Sequence, residues 1–375
     1  MNFNLKLMEP IISPIDVSII KSELTPAKKL RDTNKGNNEI YVVTHHDSPN
    51  VMLEIGRLRE ESFRDSGGGS GLEADIDEFD TMENPYRQLI VWDPDHEKIL
   101  GGYRYIFGND IKLDDKGQPL LATAHMFHFS EQFIKQYLPH TIELGRSFVV
   151  PEYQSRQAGV KALFALDNLW DGLCALAIEK PDIKYFFGKM TMYPDYNREA
   201  RDLIQHFLFK HFKDEEGLVR PVEPLKIETD EAYMDSLLTE ENFKEDYKLL
   251  NTEVRKRGVN IPPLVNAYMS LSPTMKMFGG GINHEFSDAE ETCILIAYDE
   301  IHQEKLERHA DSFIQEKLAK IKMRFPKFVA NMGDGLKDLL TRRREARQRK
   351  AEMKARKKDG KSDSRKARKN KKNQQ

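Results

Sequence analysis

Apolar residues fall into alternating and helical patterns along the first 300 positions. Positions 39–43 (Glu39-Ile40-Tyr41-Val42-Val43) read as a first strand, and 50–63 as a helix with Asn50 as its N-cap. A glycine-rich segment, Gly67-Gly68-Gly69-Ser70-Gly71, predicts a flexible loop. Positions 88–92 and 99–107 read as strands joined by the Asp93-Pro94-Asp95 turn, and 141–150 as another strand. Helical spacing of Leu163, Leu166, Leu169, Trp170, Leu173 and Leu176 predicts a helix over 160–179. A strand follows at 185–190 and a helix at 199–212. Charged sequence at 213–260 reads as a helical insertion, and strands return at 265–271, 276–278 and 292–298. A long helix over 301–324 stops before Pro326. This order predicts an α/β fold: a mixed central sheet with helices on both faces. Around it stand an N-terminal arm (1–38), a main domain (39–300), a C-terminal helical region (301–340) and a tail (341–375).

Position 146 disturbs the pattern. In a regular strand through Glu143-Leu144-Gly145-Arg146-Ser147-Phe148-Val149-Val150, Arg146 would share a face with Leu144 and Phe148. An unpaired guanidinium there is very costly. Either a carboxylate elsewhere pairs with it, or a bulge near Gly145 re-aims it.

Composition changes the picture mainly at the C-terminus. The chain has 375 residues and a net charge of −3. Its last 35 residues hold 17 Lys+Arg against 4 Asp+Glu, leaving 41 basic and 57 acidic residues before them. An acidic body thus precedes a basic tail with little to bury, expected to be disordered. Such a tail suits an anionic membrane surface, the preferred functional reading, with acidic acyl carrier protein and nucleic acid as alternatives and a merely solubilising tail as the bland one. No apolar run reaches the ~20 residues of a membrane span, and no signal peptide is visible, so the expected address is cytoplasmic, with peripheral binding at the inner membrane face. Cys174 and Cys293 are the only cysteines, too few for a disulfide framework or a structural zinc site. No metal is expected. No Gly-x-Ser-x-Gly elbow, Walker loop or His-Glu-x-x-His occurs.

The charged positions inside predicted elements are Arg59 (with Phe63 four residues on), Asp77 and Asp80, Arg104, and Glu143 with Arg146. Each has a bland reading alone: a surface arginine, a helix cap, or a structural ion pair. Their joint order, Arg59-x-x-x-Phe63, Asp77-x-x-Asp80, Gly102-x-Arg104, Glu143-x-x-Arg146, resembles the acyl-homoserine-lactone synthases of the acetyltransferase (GNAT) fold. With Ile261-Pro262-Pro263-Leu264-Val265-Asn266-Ala267-Tyr268, it looks closer to the hemolysin-like ornithine-lipid and glycine-lipid N-acyltransferases.

The resemblance implies transfer of a long 3-hydroxyacyl chain from acyl carrier protein to an amino acid's α-amine, glycine or ornithine, in aminolipid synthesis. It implies no cofactor beyond the acyl-phosphopantetheine thioester, which is a substrate. Glu143, Arg146 and Arg104 fall at its catalytic positions, and Arg59, Phe63, Asp77 and Asp80 at its substrate-binding positions. The acyl donor is expected along Ser147, Phe148 and Val149 and at Arg156, Gln157, Ala158 and Gly159, although that helix start is poorer in glycine than phosphate loops of this fold. An acetyl-CoA-dependent amine N-acetyltransferase would share the fold. A non-enzymatic nucleic-acid-binding protein would explain the tail but not the clustered charges.

Overall fold

A computed structural model describes residues 8–154, 159–239 and 242–324 of this chain. The chain divides into two compact units, Met1–Phe313 and Ile314–Gln375, and the fold below is that of the first. Its elements are α1 (Val17–Glu23), β1 (Lys29–Asp32), β2 (Glu39–Val43), α2 (Pro49–Asp65), α3 (Glu78–Thr81), β3 (Arg87–Asp93), β4 (Lys98–Phe107) and β5 (Phe127–Phe129). Then come β6 (Thr141–Val149), α4 (Gly159–Glu179), β7 (Tyr185–Met192), α5 (Arg198–Phe212), β8 (Val219–Pro221), α6 (Glu231–Leu237) and α7 (Phe243–Lys256). Last are α8 (Pro263–Met269), β9 (Lys276–Asn283) and β10 (Ala289–Ala297); α9 (Gln303–Arg324) begins in this unit and runs past its end at Phe313. Positions 325–340 and the basic tail 341–375 lie outside the described residues.

Eight strands form one mixed sheet in the order β1-β2-β3-β4-β6-β7-β10-β9. One inner pair, β6 and β7, is parallel, and the pairs on either side of it are antiparallel. Helices cover both faces, as adjacent residues of β3 demonstrate. Gln88 points to Arg59 of α2, whereas Leu89 packs against Gly172 of α4 on the opposite face. Beyond β7, the α2 face carries Phe187, Cys293 and Leu295, covered by Phe127, Phe129 and Phe133.

Four expectations need correction. The N-terminal arm is not peripheral throughout: β1 pairs with β2 as the sheet's edge, and the Glu23 carboxylate accepts from the N–H groups of Asn50 and Val51. Helix α2 starts at Pro49 with Ser48 as N-cap, so Asn50 is already helical; proline's fixed φ suits the first turn. Positions 265–271 are not a strand. Pro263 opens α8, whose buried Val265, Tyr268 and Met269 follow the helical repeat. The glycine segment 67–71 is pinned rather than loose: the buried Glu60 carboxylate accepts from the N–H groups of Ser70 and Gly71. Only glycine fits at position 68, where a Cβ would lie 2.2 Å from the Tyr193 ring. The insertion at 213–260 holds the helices α6 and α7, but less than half of it is helical, and it also contributes β8.

Candidate active site

The opening anomaly resolves as a bulge. Between β4 and β6, Arg104 pairs with Gly145 but Gly102 pairs with Phe148, so β6 carries one extra residue. Arg146 occupies it with φ +47°, a left-handed conformation that L side chains adopt at a cost of about 1 kcal/mol. Gly101 makes room beside it, since a Cβ there would meet the Phe148 carbonyl at 2.4 Å. The bulge breaks the strand's alternation and turns Arg146 toward the face holding Arg104 and Glu143.

Three arginines and three aspartates meet there. Arg59 Nη1 donates to Asp80 Oδ2 at 3.0 Å, and its Nη2 to Gln88 Oε1 at 2.5 Å. Arg104 Nη1 donates to both oxygens of Asp77 at 2.7 Å and to Asp80 at 3.3 Å. Arg146 Nε sits 2.9 Å from Asp75 Oδ2, as a charge contact without hydrogen-bond alignment, and its guanidinium lies 4.6 Å above the Phe286 ring. Asp77 and Asp80 also form a reciprocal capping box at the start of α3, so one short segment supplies both the helix cap and the counter-charges. Burial alone would raise the Asp80 carboxyl, but the guanidinium groups of Arg59 and Arg104 outweigh it and hold the acid below the usual carboxylate range.

The strands β6 and β7 stay in register only from Thr141↔Tyr185 to Leu144↔Gly188, and each continues beyond. A cavity of about 790 Å³ opens at this divergence. Its lining comes from both faces of the sheet. Arg104, Glu143, Arg146, Asp75, Asp77 and Lys189 make a polar end; Phe148, Phe186, Leu264, Tyr268, Ile294 and Ile296 make an apolar one. Glu143 is buried, and among the described residues its Oε2 has no hydrogen-bond partner. Burial pushes its carboxyl up, opposed by the Tyr86 hydroxyl and the charges of Arg104 and Lys189. A buried, raised carboxylate with an open oxygen in a cleft has the properties of a general base.

Residues 58–163 match the family described as acetyltransferase (GNAT) domain. A glycine N(alpha)-acyltransferase of Phocaeicola vulgatus is 63% identical over 309 residues, covering 82% of this chain and 95% of that protein. One of Bacteroides thetaiotaomicron is 62% identical over 316 residues, 84% of this chain and 94% of that protein. The chain belongs to the glycine N(alpha)-acyltransferase family. It is an N-acyltransferase with the GNAT fold that its charged motifs imply. A solved CoA-dependent acyl-homoserine lactone synthase is 14% identical with a TM-score of 0.25, covering 44% of this chain and 71% of its own; at that score it carries no argument.

Among the residues singled out by sequence, the structure brings Phe63, Asp77, Arg104, Glu143, Arg146, Ser147, Phe148 and Val149 to the cavity wall. Arg59 and Asp80 do not line it: they lie fully buried behind the wall, where they brace Arg104. Gly159 opens α4; Arg156, Gln157 and Ala158 lie outside the described residues. Sequence reasoning missed Asp75, Gln88, Lys189 and Glu291. Lys189 had a signal, a lone cation in the aromatic and apolar strand Tyr185–Met192.

The insertion supplies Val259 and Asn260 to the lining, and α8 supplies Tyr268. Both cysteines are buried, and burial pushes the Cys174 thiol up to about 12. Among the described residues no helix is long and apolar enough to cross a membrane.

Proposed function

We propose that this enzyme transfers a long 3-hydroxyacyl chain from the thioester of acyl carrier protein to the α-amine of glycine, in aminolipid synthesis. The observation that carries this reading is one cavity that brings the buried Glu143 carboxylate and Arg146 together with apolar walls. Among the described lining residues, Asp75 and Asp77 face Arg146, Asp77 also binds Arg104, and Glu291 pairs with Lys189. Ornithine needs a further anion for its side-chain amine, and Glu78, Asp195 and Glu285 also line the cavity, so the choice of glycine rests on the relatives. The relatives named glycine N(alpha)-acyltransferases support the same acceptor. The apolar end of the cavity supports a long acyl chain over an acetyl group.

In this reading Arg146 anchors the amino acid's carboxylate. Its side chain is 18% exposed, against 4% for Arg104 and none for Arg59, so it is the guanidinium best able to reach a ligand. The neutral amine attacks the thioester carbonyl, the C–N bond forms and the C–S bond breaks. Glu143 takes the amine's proton, which leaves on the thiol of phosphopantetheine. In this reading, backbone N–H groups of β6 beyond Leu144, where its register with β7 ends, would bind the developing oxyanion. No cofactor is consumed.

The test is direct. The purified full chain is incubated with 3-hydroxyacyl-acyl carrier protein and an equimolar mixture of glycine and ornithine, and in parallel with acetyl-CoA, with products read by mass spectrometry. N-(3-hydroxyacyl)glycine as the main product supports the reading. Preferred acylation of ornithine overturns the acceptor, and faster turnover of acetyl-CoA overturns the donor. The same reading brings the lipid product to an anionic membrane through the basic residues 341–375. Binding to anionic liposomes should drop sharply when they are deleted, and unchanged binding removes that role.

A further inference from the structure

Glu143 does not stand alone on its side of the sheet. Paired residues of neighbouring strands share a face, and so do residues two apart. Arg104 pairs with Gly145, Glu143 with Phe187, Lys189 with Cys293, and Glu291 with Thr191. Four charges of alternating sign therefore cross four adjacent strands, β4, β6, β7 and β10, on one face. The ammonium of Lys189 contacts the Glu291 carboxylate, which also accepts from Asn283 Nδ2 of β9 at 3.0 Å. Lys189 and Glu291 line the same cavity as Glu143.

Such a pair is an expensive way to fill a strand flanked by Phe187, Met190 and Cys293. Buried ion pairs commonly do no better for stability than apolar residues of similar size. Its position offers a use. The groups facing Glu143 are Tyr86 from just before β3, Arg104 from β4, Thr123 from the segment before β5, Lys189 from β7 and Cys293 from β10. Of these, Arg104 and Lys189 are charged. Arg104 already serves both Asp77 and Asp80, whereas Lys189 answers to Glu291.

We propose that Lys189, whose charge is partly offset by its pairing with Glu291, is a positioning residue for acyl transfer: it holds a positive charge beside Glu143 that keeps this carboxylate able to accept a proton. The inference rests on Glu143 being the base. Two effects oppose each other: burial pushes the Glu143 carboxyl up and makes it a stronger base, and the ammonium of Lys189 works against that rise.

The test is the pH dependence of kcat at saturating glycine and acyl-acyl carrier protein for the wild type, Lys189→Met, Lys189→Arg and Glu291→Gln. Titration of the amine is common to all four, so differences report the enzyme. Losing a nearby cation raises an acid's pKa, so Lys189→Met should move the acidic limb up by about one pH unit or more. Glu291→Gln frees the lysine's charge and should move it down, and Lys189→Arg should hold it. A merely structural pair predicts no shift, or shifts of the same sign, and either result overturns the proposal. If Lys189→Met fails to fold, Glu291→Gln decides: an unshifted or raised limb overturns it. Glu143→Gln separates the two claims. Undiminished turnover in that variant removes the base, and this inference with it. A dead Glu143→Gln with unshifted limbs in the other variants removes only Lys189.

Discussion

Asp80→Asn probes the buried network most sharply. Asp80 is 1% exposed, and one of its oxygens accepts from Arg59 at 3.0 Å, from Arg104 at 3.3 Å and from the Asp77 N–H at 3.3 Å. Asparagine keeps the shape but removes the charge. Arg59 would retain the neutral acceptors Gln88 at 2.5 Å and the Asp75 carbonyl at 3.2 Å, with the Asp75 carboxylate 4.0 Å away and shared with Arg146. Stripping one partner from a buried pair costs about 3–5 kcal/mol. Arg104 keeps Asp77, which puts the expected loss near the lower end, ~3 kcal/mol. At roughly 2–4 °C per kcal/mol for a domain of this size, Tm should fall by about 6–12 °C.

The pH dependence has a definite sign. The Asp80 carboxyl is held low in the folded state, against the opposing effect of burial. Its contribution is therefore full above the unfolded carboxylate value of about 3.9 and is lost as pH falls through the folded value. Urea unfolding followed by circular dichroism should show a constant gap between wild type and D80N from about pH 5 to 8, narrowing below about pH 4. Asp77→Asn, at a side chain 24% exposed, should cost less, about 1–2 kcal/mol. A D80N variant within about 1 kcal/mol of wild type at neutral pH would refute the view that this carboxylate neutralises Arg59.

Three further outcomes follow from the geometry. Arg146→Lys loses the planar group above Phe286 and the fork for a carboxylate, so KM for the amino acid should rise about 10–100-fold while kcat changes less; an unchanged KM argues against the anchor. Gly101→Ala forces a Cβ against the Phe148 carbonyl, 2.4 Å away, and should destabilise the protein by about 1–3 kcal/mol by pushing β4 from the bulge; thermal melts matching wild type would contradict this. Because both thiols are buried and Cys174 is pushed up to about 12, a thiol reagent at pH 8 should leave the folded protein unmodified and label it after denaturation; rapid labelling of the native state is the contrary result.

Much of this was legible in the sequence, for identifiable reasons. An arginine in an apolar strand demanded either a partner or a bulge, and Arg146 has both, in Asp75 and in the extra residue of β6. The α/β order was readable because α4, α5 and the central strands carry clear apolar periods. The edge strand β1 was not, because an edge needs little apolar content. Helix α8 was misread because a short apolar run fits either repeat, and Pro263 decides it. The pairing of Lys189 with Glu291 joins residues 102 apart in the chain, and only the β7–β10 register brings them together. Arg59 and Asp80 were singled out as substrate-binding positions, but they lie buried behind the cavity, where they support Arg104.

The central claim is that Glu143 accepts the amine's proton in this cavity. Its most direct test is single-turnover acyl transfer to glycine by wild type and Glu143→Gln, with donor binding and Tm measured alongside. The account predicts a rate about 10²–10⁴-fold lower, with donor affinity and Tm retained. Transfer at the wild-type rate by a folded Glu143→Gln enzyme would contradict it.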